Sequence, residues 1–326
     1  MNPLPPGRIA IRADGGGGIG LGHVMRCAAL AAALDRLGHR TVFITATPEV
    51  LPACLEDTAD IRILDEAETA ARLTGFLLRS DVSVLVGDWK HVDAALVAAV
   101  RASGIVTALL GGQTGEATPD LLIRQSLAET PPPPGVATLD GPGVLLLGGS
   151  YAGLPARTVA PVARRILVSL GGTQTPVLDR IESVLNALAD EIAIEVEVRR
   201  PGGGQIPLPP LLTALQEADI GILAGGTTLH EAAATGLPVL CVPIATNQEM
   251  RAGQVEPLGL GLRIDPDDGL EDRLAEALRA LIPDAGRRQA MALAGQTLVD
   301  GQGADRVARH ILEHSLPRTP GIAVIS

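Results

Sequence analysis

Short apolar runs recur along this chain, separated by longer segments in which apolar positions return every three or four residues. The first pattern reads as a strand buried on both faces, the second as an amphipathic helix packed against it. In the first half, Arg8 to Ala13, Arg40 to Thr45, Ile61 to Leu64, Val82 to Val86 and Ile105 to Leu110 predict strands. Val24 to Leu37 predicts a helix whose Val24, Cys27, Ala31 and Leu34 share one face. After Leu121 to Ile123, the prolines at 131–134 stiffen the chain, and Val144 to Leu147 leads into Gly148-Gly-Ser-Tyr151. A second series begins at Arg165, with strands at Ile166 to Ser169, Ile194 to Val198, Ile220 to Ala224, Val239 to Val242 and Leu262 to Ile264. Leu270, Leu274, Ala277, Leu278 and Leu281 then line one helix face, and two more helices follow.

Strands alternating with helices predict parallel sheets wound with crossover helices. A length of 326 residues exceeds what one core usually supports, so two doubly wound, Rossmann-like α/β domains are expected, 1–155 and 156–326. Such domains place ligands at the carboxyl ends of their strands, here in an interdomain cleft.

Composition narrows the partners. With 26 basic and 37 acidic residues the net charge is −11, and the basic residues are scattered, which argues against a nucleic-acid or anionic-membrane surface. Cys27, Cys54 and Cys241 are widely spaced and odd in number, suggesting neither a zinc knuckle nor a disulfide framework and fitting a reducing compartment. No apolar run approaches the roughly 18 residues of a membrane span, and Met1 to Gly7 lacks the apolar core of a signal peptide. The expectation is a soluble, cytoplasmic protein without stable membrane insertion, its oligomeric state left open.

The candidate chemistry lies in glycine turns. Asp14 opens a glycine-rich stretch that passes Gly20 and Gly22 and ends in His23 and Arg26 at a helix start. Glycines there let a ligand approach the backbone, and the first free N–H groups of the helix favour anions. His23 then faces the cleft as a general base, against the alternative of an idle residue at a helix end. Gly15, Gly17 and Gly20, with Glu49 beyond the second strand, also satisfy a dinucleotide fingerprint, although the turn runs on through Gly22 and a polar His23 before the apolar face begins. A second turn joins strand and helix through Gly225, Gly226, Thr227 and Thr228. Its N–H groups suit a diphosphate; equally, Thr228 and Glu231 have capping-box spacing, and Gly236 with Pro238 is an ordinary helix stop. Gly171, Gly172 and Thr173 form a third turn, and Asn247 and Gln248 offer amides to sugar hydroxyls. Asp265, Asp267 and Asp268 resemble a metal-binding D-x-D, but a proline turn with an N-cap aspartate explains them, so no metal site is expected. Trp89 has the shape to stack on a sugar or base.

Together these motifs resemble a known family. Ile19-Gly-x-Gly22-His23-x-x-Arg26, Gly148-x-x-Tyr151-Ala152, Gly171-Gly172-Thr173, Gly225-Gly-Thr-Thr-x-x-Glu231 and Asn247-Gln248 occur in the order found in the nucleotide-sugar hydrolase of pseudaminic-acid biosynthesis. The spore-coat polysaccharide proteins and, more distantly, the peptidoglycan N-acetylglucosaminyltransferase share its two-domain GT-B layout. The resemblance implies a GT-B, metal-independent enzyme with no cofactor that cleaves the anomeric C–O bond of a UDP-sugar. His23 matches the catalytic histidine and Glu231 the acid on the ribose. Asp14 and Asp88 are the nearest carboxylates to assist His23. Asp88-Trp89-Lys90, Gly111-Gly112-Gln113 and Gln174 depart from the family pattern, so the expected change is in the substrate contacts of the N-terminal half.

The leading expectation is therefore hydrolysis of a nucleotide-sugar, with the second domain holding the departing UDP. Transfer of the sugar to a soluble small-molecule acceptor is the nearest rival, because His23 can take the proton from either oxygen nucleophile. A non-catalytic nucleotide-sugar binding protein is the more distant one.

Overall fold

The computed structural model describes residues 7–16, 20–52, 55–64, 69–88, 92–111, 115–171, 174–200 and 210–314. Trp89, Gly172 and Thr173, together with Gly17, Cys54, Lys90, Gly112 and Gln113, lie outside the described residues.

The first half runs β1 (Arg8–Ala13), α1 (Gly22–Arg36), β2 (Thr41–Thr45), α2 (Leu55–Thr58), β3 (Ala59–Ile63), α3 (Ala70–Arg79), β4 (Val82–Asp88), α4 (Ala94–Ala102), β5 (Val106–Leu110), β6 (Leu121–Ile123) and β7 (Ala137–Leu139). These strands form a parallel seven-stranded sheet in the order β3-β2-β1-β4-β5-β6-β7. The second half runs β8 (Arg165–Ser169), α5 (Pro176–Glu191), β9 (Glu195–Arg199), α6 (Leu211–Glu217), β10 (Ile220–Leu223), α7 (Thr228–Thr235), β11 (Val239–Cys241), α8 (Glu249–Val255) and β12 (Gly261–Arg263). Its sheet is parallel and five-stranded, β12-β11-β10-β8-β9. The chain closes with α9 (Leu270–Leu281), α10 (Ala285–Leu298) and α11 (Gly303–His314).

Both expected helix faces are buried: Val24, Cys27, Ala31 and Leu34 on α1, and Leu270, Leu274, Ala277, Leu278 and Leu281 on α9. Two features escaped the sequence pattern. Ala137–Leu139 is too short and too exposed to show an apolar run, yet it extends the first sheet. Helix α11 leaves the second half and returns to the first, where Ala304, Val307, Ala308 and Ile311 join the core formed by β1, β4 and α1. Arg36 reaches Asp305 at 2.7 Å on the same contact.

The segment between the sheets is pinned to the second half through arginines. Arg157 donates to the carbonyls of Leu215 and Thr235, and fully buried Arg288 to those of Leu281, Ala160 and Pro161. These bonds satisfy carbonyls at the ends of α6, α7 and α9 that the helices leave unpaired.

In each sheet the strand order reverses beside the first strand, between β1 and β4 and between β8 and β10. Helices leave such a sheet on opposite faces at that point, opening a crevice at the carboxyl ends. The turns carrying His23 and Asp88 lie at one crevice, and those carrying Gly171 and Gly225 at the other.

Candidate active site

Register places the first group. Ala13, at the end of β1, pairs with Asp88, at the end of β4, and α1 begins nine residues beyond Ala13. His23 and Arg26 are three apart on α1 and so project from one face toward the same carboxylate. His23 Nδ1 lies 2.6 Å from Asp88 Oδ1, and Arg26 donates through Nε to Oδ2 and through Nη2 to Oδ1, both at 2.5 Å. The Cys27 thiol adds a longer contact to Oδ2, at 3.7 Å. Asp88 is 1% exposed. Burial alone would raise its pKa, but the Arg26 guanidinium and the His23 hydrogen bond outweigh burial and hold the carboxyl below the usual range.

An ionised Asp88 fixes the histidine tautomer. A carboxylate only accepts, so the proton between it and His23 belongs to Nδ1, and in the neutral ring Nε2 carries the lone pair. The 3.0 Å separation of Arg26 Nη2 from His23 Nδ1 is then a side-by-side approach of two donors to Oδ1 rather than a bond between them. His23 keeps 23% of its side chain exposed, so the imidazole held by buried Asp88 is not sealed in the core.

Asp14 does not join this group. Its Oδ1 accepts from Ala46 N at 2.7 Å and Thr45 Oγ1 at 3.2 Å, and it pairs with Arg12 at 2.5 Å. Together with the bond from Gly15 N to Thr47 Oγ1, it ties the loop after β1 to the end of β2. Gly16 and Gly20 exchange backbone hydrogen bonds, and Gly20 adopts φ +82°, where L side chains are strained. Glu49, the acid of the dinucleotide fingerprint, is exposed in a short turn at Pro48–Val50.

The second group gathers at the ends of β8, β10 and β11. Helix α7 has Thr227 at its N-cap with no side-chain cap bond, so the capping box expected from Thr228 and Glu231 does not form. Glu231 accepts instead from Tyr151 Oη at 3.0 Å, which draws the acid away from the helix end. Burial raises the Glu231 pKa to about 7, against the lowering effect of the tyrosine bond, and burial beside Glu231 pushes the Tyr151 phenol up. Gly225 packs on the Gln248 segment so closely that a Cβ would come within 2.7 Å of the Gln248 carbonyl. Gln248 Oε1 accepts from Ile244 N at 2.9 Å, a bond that does not use its NH₂, and Asn247 is exposed beside it. Gly171 takes φ +87° at the end of β8. Asp265 and Asp267 pair with Arg263 and Arg273 rather than converging, and Asp267 caps the Gly269 amide within the turn while Gly269 holds the N-cap position of α9. Among the described residues no His, Cys, Asp and Glu cluster has the arrangement of a metal site.

The two groups face each other. A Cβ on Gly22, one residue before His23, would lie 3.3 Å from Thr227 Oγ1. Between them stands Arg251, which the sequence reading did not single out. It donates to Gly225 O at 3.2 Å, reaches Gln125 O of the first half at 3.5 Å, and interacts electrostatically with both Arg26 and Asp88. Gln254, one turn on, adds a bond to Ser126 Oγ at 3.3 Å. A lone arginine on a short polar helix gives no signal in sequence, since only the fold brings α8 to the segment after β6.

No protein-family model matches the chain. The UDP-N-acetylglucosamine--N-acetylmuramyl-(pentapeptide) pyrophosphoryl-undecaprenol N-acetylglucosamine transferase of Xanthomonas campestris pv. campestris (strain 8004) is 28% identical over 220 residues, 65% of this chain and 50% of that protein. The transferase of the same description from Mycobacterium sp. (strain JLS) is 30% identical over 176 residues, 52% of this chain and 44% of that protein. The chain thus spans about 50% of the length of the first of these relatives. Among solved structures, the glycotransferase of kitacinnamycin superposes with TM-score 0.69 at 20% identity, covering 96% of this chain and all of its own (100%). Acinetobacter baumannii MurG gives TM-score 0.69 at 16% identity over 94% of this chain and 100% of its own. The spinosyn forosaminyltransferase gives 0.70 at 17% over 95% and 99%. No helix among the described residues is long and apolar enough to cross a membrane. The fold is that of the two-domain GT-B glycosyltransferases, and the proteins this chain is similar to in sequence are transferases that use a nucleotide-activated sugar.

Proposed function

We propose that this protein transfers a sugar from a nucleoside-diphosphate donor to an acceptor hydroxyl. The observation that carries the reading is the His23–Asp88 pair: a base with its Nε2 on the cleft, facing a helix N-terminus that has no side-chain cap, where a Cβ on Gly22 would meet Thr227. The transferase descriptions of the relatives favour this reading over the hydrolysis that the motif resemblance implied.

In this reading the second half holds the donor. Leu229 and His230 N already donate to the Gly226 and Thr227 carbonyls, so the N–H groups from Gly226 to Thr228 meet the diphosphate, Glu231 the ribose, and Asn247 with Gln248 the sugar hydroxyls. His23 Nε2 takes the proton of the acceptor hydroxyl as its oxygen bonds the anomeric carbon and the C–O bond to the diphosphate breaks. Asp88 stabilises the imidazolium that results. Fixed N–H dipoles stabilise the departing charge, each contributing up to about 3 kcal/mol when the cleft excludes water.

The test is mass spectrometry of products from UDP- and dTDP-sugars in oxygen-18 water, with and without a panel of hydroxylated acceptors. A glycosylated acceptor supports transfer. Free sugar carrying label at the anomeric oxygen, unchanged by any acceptor, replaces it with hydrolysis by the same base. No donor consumed, with nucleotide still bound, points to the binding-protein reading.

A further inference from the structure

Arg251 brings the cleft a guanidinium that is bonded to carbonyls and not to a carboxylate. Both oxygens of Asp88 are occupied by Arg26, and Oδ1 also takes the His23 proton. Arg251 stands close enough to feel both Arg26 and Asp88, yet its hydrogen bonds go to the carbonyls of Gly225 and Gln125, and among the described residues no carboxylate pairs with it. A guanidinium keeps its charge in such surroundings. That charge is placed beside the donor turn.

Its bond to Gly225 also sets the turn. In a trans peptide the C=O and the following N–H point in opposite directions. With the Gly225 carbonyl held on Arg251, the Gly226 N–H points away from it, and around Gly226 a Cβ would meet nothing within 4 Å. His230, in the first turn of α7, is a second sign that this region is built for a ligand. It is 2% exposed, its Nε2 has no hydrogen-bond partner among the described residues, and burial together with Arg251 and Arg26 keeps it neutral. An unpaired buried nitrogen costs stability unless something occupies the site to meet it.

We propose that Arg251 is the positioning residue and side-chain cation of the diphosphate seat, aiming the Gly226 N–H into the cleft and supplying the positive charge that receives the leaving group. The inference rests on the nucleotide-sugar reading and adds to it a residue that links the donor turn to the His23–Asp88 pair.

Inorganic pyrophosphate tests it without knowledge of the base. Calorimetric titration of the full chain should show pyrophosphate binding about ten- to a hundredfold weaker in Arg251→Gln, the loss expected for one charge-assisted bond. Arg251→Lys should recover part of it, because charge returns without the planar fork. Equal binding by Arg251→Gln and wild type overturns the proposal, as does no binding by wild type or an equal loss in both variants. Should the variants fail to fold, phenylglyoxal labelling of wild type read by peptide mass spectrometry replaces them: pyrophosphate protects Arg251 if the proposal holds, and unchanged labelling overturns it. Sugar transfer by wild type combined with a negative result here removes Arg251 alone and leaves the proposed function standing.

Discussion

Tyr151 Oη donates to Glu231 Oε1 at 3.0 Å, joining the segment between the two sheets to the first turn of α7. This bond favours the ionised acid while burial opposes it, and the balance leaves the Glu231 pKa at about 7. A carboxyl whose folded pKa is raised binds its proton more tightly when folded, so its ionisation costs stability as pH rises from the unfolded value, near 4.5, through about 7. Glu231→Gln should therefore be more stable than wild type by about 1–3 kcal/mol at pH 8 and equal to it near pH 4. Urea midpoints at the two pH values check this. Tyr151→Phe should move the same transition to higher pH.

His23→Asn should lower turnover about 10²–10⁴-fold, the range for loss of a general base, and leave nucleotide affinity unchanged. Single-turnover kinetics beside nucleotide titration separate the two. A variant as active as wild type removes His23 from the proposed mechanism.

Asp88→Asn leaves buried Arg26 without its counter-charge and presents an amide where a carboxylate accepted three N–H bonds. Breaking one side of a buried pair costs about 3–5 kcal/mol. The folded pKa of Asp88 is depressed, so its contribution is present above the unfolded carboxylate pKa and lost as pH falls through the folded one. Chemical denaturation should show wild type losing this advantage over Asp88→Asn between neutral and strongly acidic pH.

Gly225→Ala and Gly226→Ala separate packing from composition in one turn. A Cβ at Gly225 meets the Gln248 carbonyl at 2.7 Å and Gln248 Cβ at 2.8 Å, whereas one at Gly226 meets nothing within 4 Å. Gly225→Ala should lose about 1–3 kcal/mol of stability and weaken donor binding, while Gly226→Ala keeps its melting temperature.

What the sequence determined by itself follows from local periodicity. Apolar runs marked the strands around Arg8–Ala13 and Ile220–Leu223, the face of α9 was readable from Leu270 to Leu281, and glycine turns marked where strands hand over to helices. Those signals are local because strand and helix each repeat over a few residues. Which polar groups meet was decided by tertiary structure. Asp88 pairs with His23 because β4 lies beside β1 in register, and Asp14, far nearer in the chain, is drawn off by Arg12 and the end of β2. The capping spacing of Thr228 and Glu231 was legible, but Tyr151 takes the acid, since a buried carboxyl goes to the donor that the packed chain presents. Arg251 and the return of α11 to the first core were equally invisible, for contacts between residues a hundred or more apart leave no period in a sequence.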